Sequence, residues 1–292
     1  MTFNSPLASP RATRDKLEEW GIVTKKSLGQ HFLVDDGVVG RILRLADPTP
    51  DDLVLEIGPG IGTLTEALLL KGARVLALEK DVHLLPILEE LKTRYPHAFD
   101  YRHIDALDFL AQASMPSPAT KLIANLPYAV AATIVLDCLV HMPSIQSITV
   151  MVQKEVAERM MAAPGSKDYG AYSVKLQLLA KPLDSFQVSP SCFIPPPRVT
   201  STVIRLDRCA DQITQEELPG VFIIIEAAFA ERRKTIRNSM RSYFARQGLD
   251  QTRIDPLLET CGIPFTIRGE TLTPTDFSAL GRRYLDPQSG VN

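Results

Sequence analysis

Residues 125–130 read NLPYAV and hold no acid, base, thiol or ammonium group. They offer an amide, a proline ring and a phenol. The Asn125 side-chain oxygen and the Leu126 carbonyl are two acceptors that can take both hydrogens of one amino group. Pro127 stiffens the pair, because its φ is fixed and it biases Leu126 towards extended geometry. Tyr128 adds a flat face on which an unstacked base can lie. Such a set suits methylation of an exocyclic amine such as N6 of adenine, whose lone pair is delocalised into the ring. In-line transfer to that nitrogen needs positioning and electrostatics more than a strong base. A plain strand-to-helix turn with a buried tyrosine is the competing explanation, and the tetrapeptide alone does not exclude it.

A second chemical signal lies upstream. Residues 53–69, LVLEIGPGIGTLTEALL, put a strand, a glycine-rich turn and a helix in succession. Gly58 and Gly60 permit the turn and let a ligand approach the backbone, and Gly62 permits close packing where the helix starts. Glu79 ends the next strand, 21 residues after Gly58, where a carboxylate suits ribose hydroxyls. Asp105 follows a third strand and can meet an adenine amino group. The spacing is G-x-G-x-G rather than G-x-G-x-x-G, which favours S-adenosylmethionine over a dinucleotide among adenosine-containing cofactors. A purely structural glycine turn stays open at this point.

The elements that must position these residues alternate. Short apolar or β-branched runs at 53–57, 74–79, 99–104, 121–125 and 147–152 are separated by segments of helical spacing. In the segment 81–95, Leu84, Leu88 and Leu91 share one face. Strands alternating with helices predict an α/β fold with a largely parallel sheet. Two last strands, DSFQVSP and STVIRLD, are joined by the proline-rich FIPPPRVT, too short for a crossover helix, and so are expected to be antiparallel at the sheet edge. Residues 1–24 read as an N-terminal arm with a helix around Arg11–Trp20, 25–208 as the cofactor domain and 209–292 as a small helical domain.

Bulk composition is that of an ordinary globular protein: 292 residues, 45% hydrophobic, 23% charged. No apolar run approaches the roughly 20 residues a membrane helix needs, and no signal peptide is legible. The four cysteines form no C-x-x-C pair and the five histidines lack ligand spacing, so a cytoplasmic protein without a metal is expected. The net charge of −2 gives no support to general nucleic-acid affinity. Charge is nevertheless segregated, with five cations around one acid in ERRKTIRNSMR, 231–241.

Taken together, KKSLGQHFL (25–33), EIGPGIGTLT (56–65), NLPY, MVQKEVAERM (151–160), YGAYSV (169–174), FIPPPRVTSTVIRL (193–206) and RRKTIRNSM (232–240) resemble the small-subunit rRNA adenine-N6,N6-dimethyltransferases. These kasugamycin-sensitivity enzymes are relatives of the erythromycin-resistance methyltransferases. The resemblance spans nearly the whole chain. It implies a Rossmann-like methyltransferase of seven mostly parallel strands with an antiparallel edge hairpin, S-adenosylmethionine as methyl donor and no metal. His31 and Leu33 would stand at cofactor-contacting positions, Gly58 at the amino-acid end, Glu79 at the ribose and Asp105 at the adenine. Asn125 would serve both cofactor and target amine. Tyr128 and Phe193 would sandwich a flipped adenine, although without the resemblance Phe193 reads as a core residue. Two positions depart from the family: many members carry Asn where this chain has His31, and Asn again where it has Ala129.

Residues 229–244 read as one amphipathic helix, with Arg233, Arg237 and Arg241 on one stripe. A solvated face explains such a run equally well by spacing alone. The family motif points Arg232, Arg233, Lys234, Arg237 and Arg241 to the rRNA backbone, with Lys25, Lys26, Arg11 and Arg14 extending the surface. The implied partner is 16S rRNA in the small ribosomal subunit, where two adjacent adenosines of the 3′-terminal hairpin loop would be dimethylated, with a role in subunit biogenesis and a monomeric enzyme. The alternatives are a large-subunit rRNA methyltransferase of the macrolide-resistance type and an assembly factor with secondary catalysis.

Overall fold

A computed structural model of the chain describes residues 4–24, 30–112, 118–209 and 213–286. Helices are α1 (Pro10–Glu19), α2 (Asp36–Ala46), α3 (Thr63–Leu70), α4 (Leu85–Arg94), α5 (Ala106–Ala111), α6 (Ala131–His141), α7 (Lys154–Met161), α8 (Ala171–Leu179), α9 (Leu218–Phe229), α10 (Ile236–Arg246), α11 (Ile254–Thr260) and α12 (Pro274–Leu285). Strands are β1 (Phe32–Leu33), β2 (Leu53–Ile57), β3 (Arg74–Glu79), β4 (Phe99–His103), β5 (Lys121–Asn125), β6 (Ser147–Gln153), β7 (Ala180–Val188), β8 (Phe193–Ile194) and β9 (Ser201–Arg208).

Seven strands form one sheet in the order β4-β3-β2-β5-β6-β9-β7. β2 pairs in parallel with β3 and β5, as do β3 with β4 and β5 with β6. β9 runs antiparallel to β6, from Ser147 opposite Asp207 to Gln153 opposite Ser201, and β7 takes the outer edge. The run of β2, apolar but for Glu56 and buried from Val54 to Ile57, follows from its place inside the sheet between β3 and β5. The order reverses direction at β2, with β3 on one side and β5 on the other. Their carboxyl ends therefore splay around a crevice, the place where open α/β sheets bind ligands.

The chain divides into two compact units, residues 1–157 with 182–208, and 158–181 with 209–292. In the first unit the arm is tied down. Asp36 accepts from the backbone of Asn4 and Ser5, Lys16 meets Glu90 at 2.6 Å, and Leu17 packs with Phe32, Ile61, Leu84 and Ile87. In the second, α8 packs with α9 and α12, around a core that includes Tyr169, Ile224, Phe244 and Phe277. Residues 158–181, read from sequence as part of the cofactor domain, thus sit with the C-terminal helices. The buried Tyr169 explains the placement, since its hydroxyl donates to the Leu272 carbonyl at 2.9 Å.

Two further local readings change. The single helix expected over 229–244 is broken: α9 ends at Phe229 and α10 starts at Ile236. Thr235 is the reason, because its hydroxyl caps α10 through the N–H of Asn238 and its backbone is extended. The segment around FIPPP also contains a strand. β8 pairs antiparallel with β1, Phe32 opposite Ile194 and Leu33 opposite Phe193, joining segments far apart in the chain.

Candidate active site

A cavity of about 520 Å³ opens at the ends of β2, β3 and β5, within the range of small-molecule sites. Gly58, Gly60, Glu79, Asp105, Asn125, Leu126, Pro127 and Tyr128 all line it, together with His31 and Leu33. Phe193 does not.

The first wall is the glycine turn. Gly58, Gly60 and Gly62 have φ of +69°, +62° and +88°, a left-handed region that L side chains rarely adopt. A Cβ at Gly62 would come within 2.5 Å of Leu91 on α4, so this glycine seats α3 against its neighbour as expected. At Gly60 a Cβ would lie 3.0 Å from the Phe32 ring, which also lines the cavity.

Two carboxylates follow. Glu79 is buried, and its Oε1 accepts the N–H groups of Lys80 and Asp81 at 2.9 and 2.8 Å. Burial pushes its carboxyl above the usual range, opposed by the N–H groups of Asp81, Gly60 and Lys80. Asp105 has the opposite balance. Lys80 Nζ donates to its Oδ2 at 2.5 Å and Leu107 N–H to its Oδ1 at 2.9 Å, which together hold its carboxyl below the usual range. Asp105 thereby also caps α5.

Sequence reasoning missed three contributors to this half. Glu56, beneath the glycine turn, is fully buried; burial pushes its carboxyl up to about 8, the nearby Glu79 charge adds to this, and Thr65 Oγ1 opposes it by donating to Oε2 at 2.6 Å. Its signal was an acid inside an otherwise apolar strand. Lys80 links both carboxylates, its backbone to Glu79 and its side chain to Asp105, and adjacency to Glu79 was the clue. Gln30 donates to Asp81 Oδ2 at 2.8 Å, tying the segment before β1 to the end of β3. No sequence pattern pairs those two.

The second half of the cavity orients groups rather than charges. Asn125 Nδ2 donates to the His31 carbonyl at 3.1 Å. A carbonyl can only accept, so the amide nitrogen must face His31 and Oδ1 must face away. The Leu126 N–H is used by the Met151 carbonyl at 3.1 Å, while its own carbonyl takes no hydrogen bond among the described residues. Tyr128 shares a 2.5 Å hydrogen bond with Ser201 at the start of β9, and its ring stacks on His31 with centroids 5.7 Å apart. Burial raises its phenol, which Ser201 partly offsets.

The expected partnership of Phe193 with Tyr128 is not formed. Phe193 is 2% exposed and packs in the core with Leu33, Ile123, Met151 and Val203. Its place in β8 opposite Leu33 turns it inward, and the flat neighbour of Tyr128 is His31 instead.

The basic residues belong to the second compact unit. Arg237 and Arg241 both bind Asp255, at 2.5 and 2.9 Å, and Arg237 also lies over the Phe265 ring. Arg233 is off the helix, so the expected three-arginine stripe is not present. Arg232 donates to the carbonyls of Lys167 and Tyr169 and approaches Glu270. Arg233 and Lys234 are exposed in the turn before Thr235. Lys25 and Lys26 lie outside the described residues. Among the described residues no cluster of metal-binding side chains occurs, and no helix is long and apolar enough to cross a membrane.

The profile of the family described as "Ribosomal RNA adenine dimethylase" matches residues 22–260. The "Ribosomal RNA small subunit methyltransferase A" of Lachnoclostridium phytofermentans is 40% identical over 283 residues, covering 94% of this chain and 96% of that one. The protein of the same name from Clostridium perfringens is 42% identical over 273 residues, covering 92% and 93%. Among solved structures, a dimethyladenosine transferase from Plasmodium falciparum shares the fold at 23% identity and a TM-score of 0.72, over 86% of this chain and 96% of that one. The 23S rRNA methyltransferase ErmE aligns at 25% identity and a TM-score of 0.63, over 86% and 98%. This chain belongs to the ribosomal RNA adenine dimethylase family.

Proposed function

We propose that the protein transfers methyl groups from S-adenosylmethionine to N6 of two adjacent adenosines in the 3′-terminal hairpin loop of 16S rRNA, within the small ribosomal subunit. The observation that carries this reading is the orientation of Asn125. With its Nδ2 committed to the His31 carbonyl, Asn125 Oδ1 and the Leu126 carbonyl are left as the acceptor pair that one amino group requires.

The cavity fits the methyl donor by its chemistry. Glu79 is a buried carboxylate at the ribose position, and Asp105 is an ionised acceptor suited to an adenine amino group. Gly58 and Gly60 carry no side chains to obstruct a ligand's approach, and His31 and Leu33 line the same space. When bound, the donor supplies an electrophilic methyl on a sulfonium. The chain's own part is to hold the amine: two acceptors take its hydrogens, and the Tyr128 face carries the base. No side chain is needed as a strong base, because the proton leaves after transfer.

For the partner, the exposed Arg233 and Lys234 are the cations best placed to meet RNA phosphates, with Arg232 beside them. Arg237 and Arg241 share the single carboxylate of Asp255 and serve the fold first. The protein acts in the cytoplasm as a monomer, with subunit biogenesis as its setting. The test is methyl transfer into small subunits that lack the modification, followed by mapping of the labelled bases. Label on naked large-subunit RNA instead would overturn the assignment. Asn125→Ala separates catalysis from assembly, since subunit maturation that persists without methylation would mark an assembly role.

A further inference from the structure

His31 stands where the segments building the base side of the cavity meet, and three of its groups are engaged. Its main-chain carbonyl accepts from Asn125. Its imidazole Nδ1 lies 2.7 Å from the Pro195 carbonyl, which can only accept, so Nδ1 carries a proton. Its ring stacks on Tyr128 with an interplanar angle of 25°. The register of β1 and β8 explains the second contact, because pairing of residue 32 with 194 carries on to bring 31 opposite 195.

Tyr128 is tethered at its far end by the 2.5 Å hydrogen bond to Ser201. That bond orients the ring only weakly, through the in-plane preference of the phenolic oxygen. The phenolic oxygen lies on the axis through Cβ, Cγ and Cζ, and rotation about this axis is χ2, a soft torsion for aromatic side chains. Fixing both ends of the axis leaves the roll of the ring only loosely restrained. A flat neighbour against its face is needed to set the roll, and the neighbour must itself be held. The imidazole meets both conditions, through its stacking and through its bond to Pro195.

We infer that the His31 side chain is a positioning residue for the target adenine: anchored on Pro195, it sets the roll of the Tyr128 ring and hence the plane in which the base stacks. This rests on the reading of Tyr128 as the base platform. It is separate from the cofactor contact implied at position 31, which the backbone can provide whatever the side chain.

The test pairs two substitutions with a readout in the free enzyme. His31→Phe keeps a flat ring without the hydrogen bond, and His31→Ala removes both. The Tyr128 ring-flip rate, read by NMR of 13C-labelled tyrosine and assigned with Tyr128→Phe, rises about tenfold or more in His31→Ala and less in His31→Phe. On small subunits kcat falls about tenfold in His31→Ala with partial recovery in His31→Phe, the loss expected for a misplaced reacting group. Affinity for S-adenosylhomocysteine falls less than kcat in either. An unchanged flip rate in His31→Ala overturns the proposal, as does cofactor affinity that falls in step with kcat. Full activity in Tyr128→Ala would instead remove the platform reading and the proposal with it, and the flip rate keeps the two failures apart.

Discussion

The two halves of the cavity are built differently. On the side proposed for the cofactor the main-chain bonds are mostly short-range, Glu79 held by the N–H groups one and two residues on and Asp105 by the N–H two residues on, with Lys80 reaching Asp105 across 25 residues. On the base side the partners are distant. Asn125 reaches back 94 residues to His31, Tyr128 reaches 73 forward to Ser201, and His31 meets Pro195 across 164. The cofactor side is thus a property of strand ends and turns, whereas the base side exists only once the sheet and the β1–β8 pair have formed. Local bonds give one side rigidity cheaply in entropy, and the other depends on the whole first compact unit.

The sharpest way to break this contrast is Asn125→Ala. Loss of a preorganised acceptor is expected to lower kcat on small subunits by about 100-fold or more, measured by radiolabelled methyl incorporation under saturating donor. A smaller loss than that from Glu79→Ala would reverse the assignment of the halves. Glu79→Ala itself should weaken S-adenosylhomocysteine binding by about 10- to 100-fold in calorimetry, the worth of hydrogen bonds to a charged group, while subunit binding is retained.

Glu56 sharpens the comparison through pH. Its folded-state carboxyl titrates at about 8 against an ordinary 4.5, so the folded state holds a proton that the unfolded chain has released. The stability this contributes is complete below about pH 4.5 and is lost progressively as pH rises to about 8. Glu56→Gln, which cannot ionise, should flatten that dependence and melt several degrees above the parent at pH 8.5, by scanning calorimetry. Parallel melting curves across this range would show that Glu56 is not held protonated.

The smallest effect is expected outside the cavity. Arg233→Ala with Lys234→Ala should weaken subunit binding several-fold and reduce the salt dependence of binding, with cofactor affinity unchanged. An equal loss from Arg237→Ala without loss of thermal stability would make Arg237 an RNA contact despite its ion pair with Asp255.

Legibility followed the same division. Strand ends, the glycine turn and the places of Glu79, Asp105 and NLPY at one cavity were readable because each depends on short-range geometry: a period of two or 3.6, a positive φ, a proline. Phe193 was misplaced because an aromatic next to prolines looks presented, and only its pairing opposite Leu33 turns it into the core. The helix over 229–244 was overextended because periodic charges run straight across Thr235, whose capping role overrides them. Residues 158–181 look like one more crossover by pattern, yet the Tyr169 hydroxyl and its apolar surroundings join them to the C-terminal helices.

The amino-acid sequence by itself determined the α/β alternation, the glycine turn, and the carboxylates and NLPY segment that line one cavity. Tertiary structure alone decided which way the Asn125 amide faces, which ring lies on Tyr128 and which arginines are already paired with an acid. The physical reason is that an amide's orientation, a stacking partner and an ion pair are each set by whatever atom stands opposite. For Asn125, Tyr128 and His31, across 73 to 164 residues, that atom is chosen by strand register and not by local propensity, and for the arginines, 14 and 18 residues from Asp255, by the packing of α10 against α11.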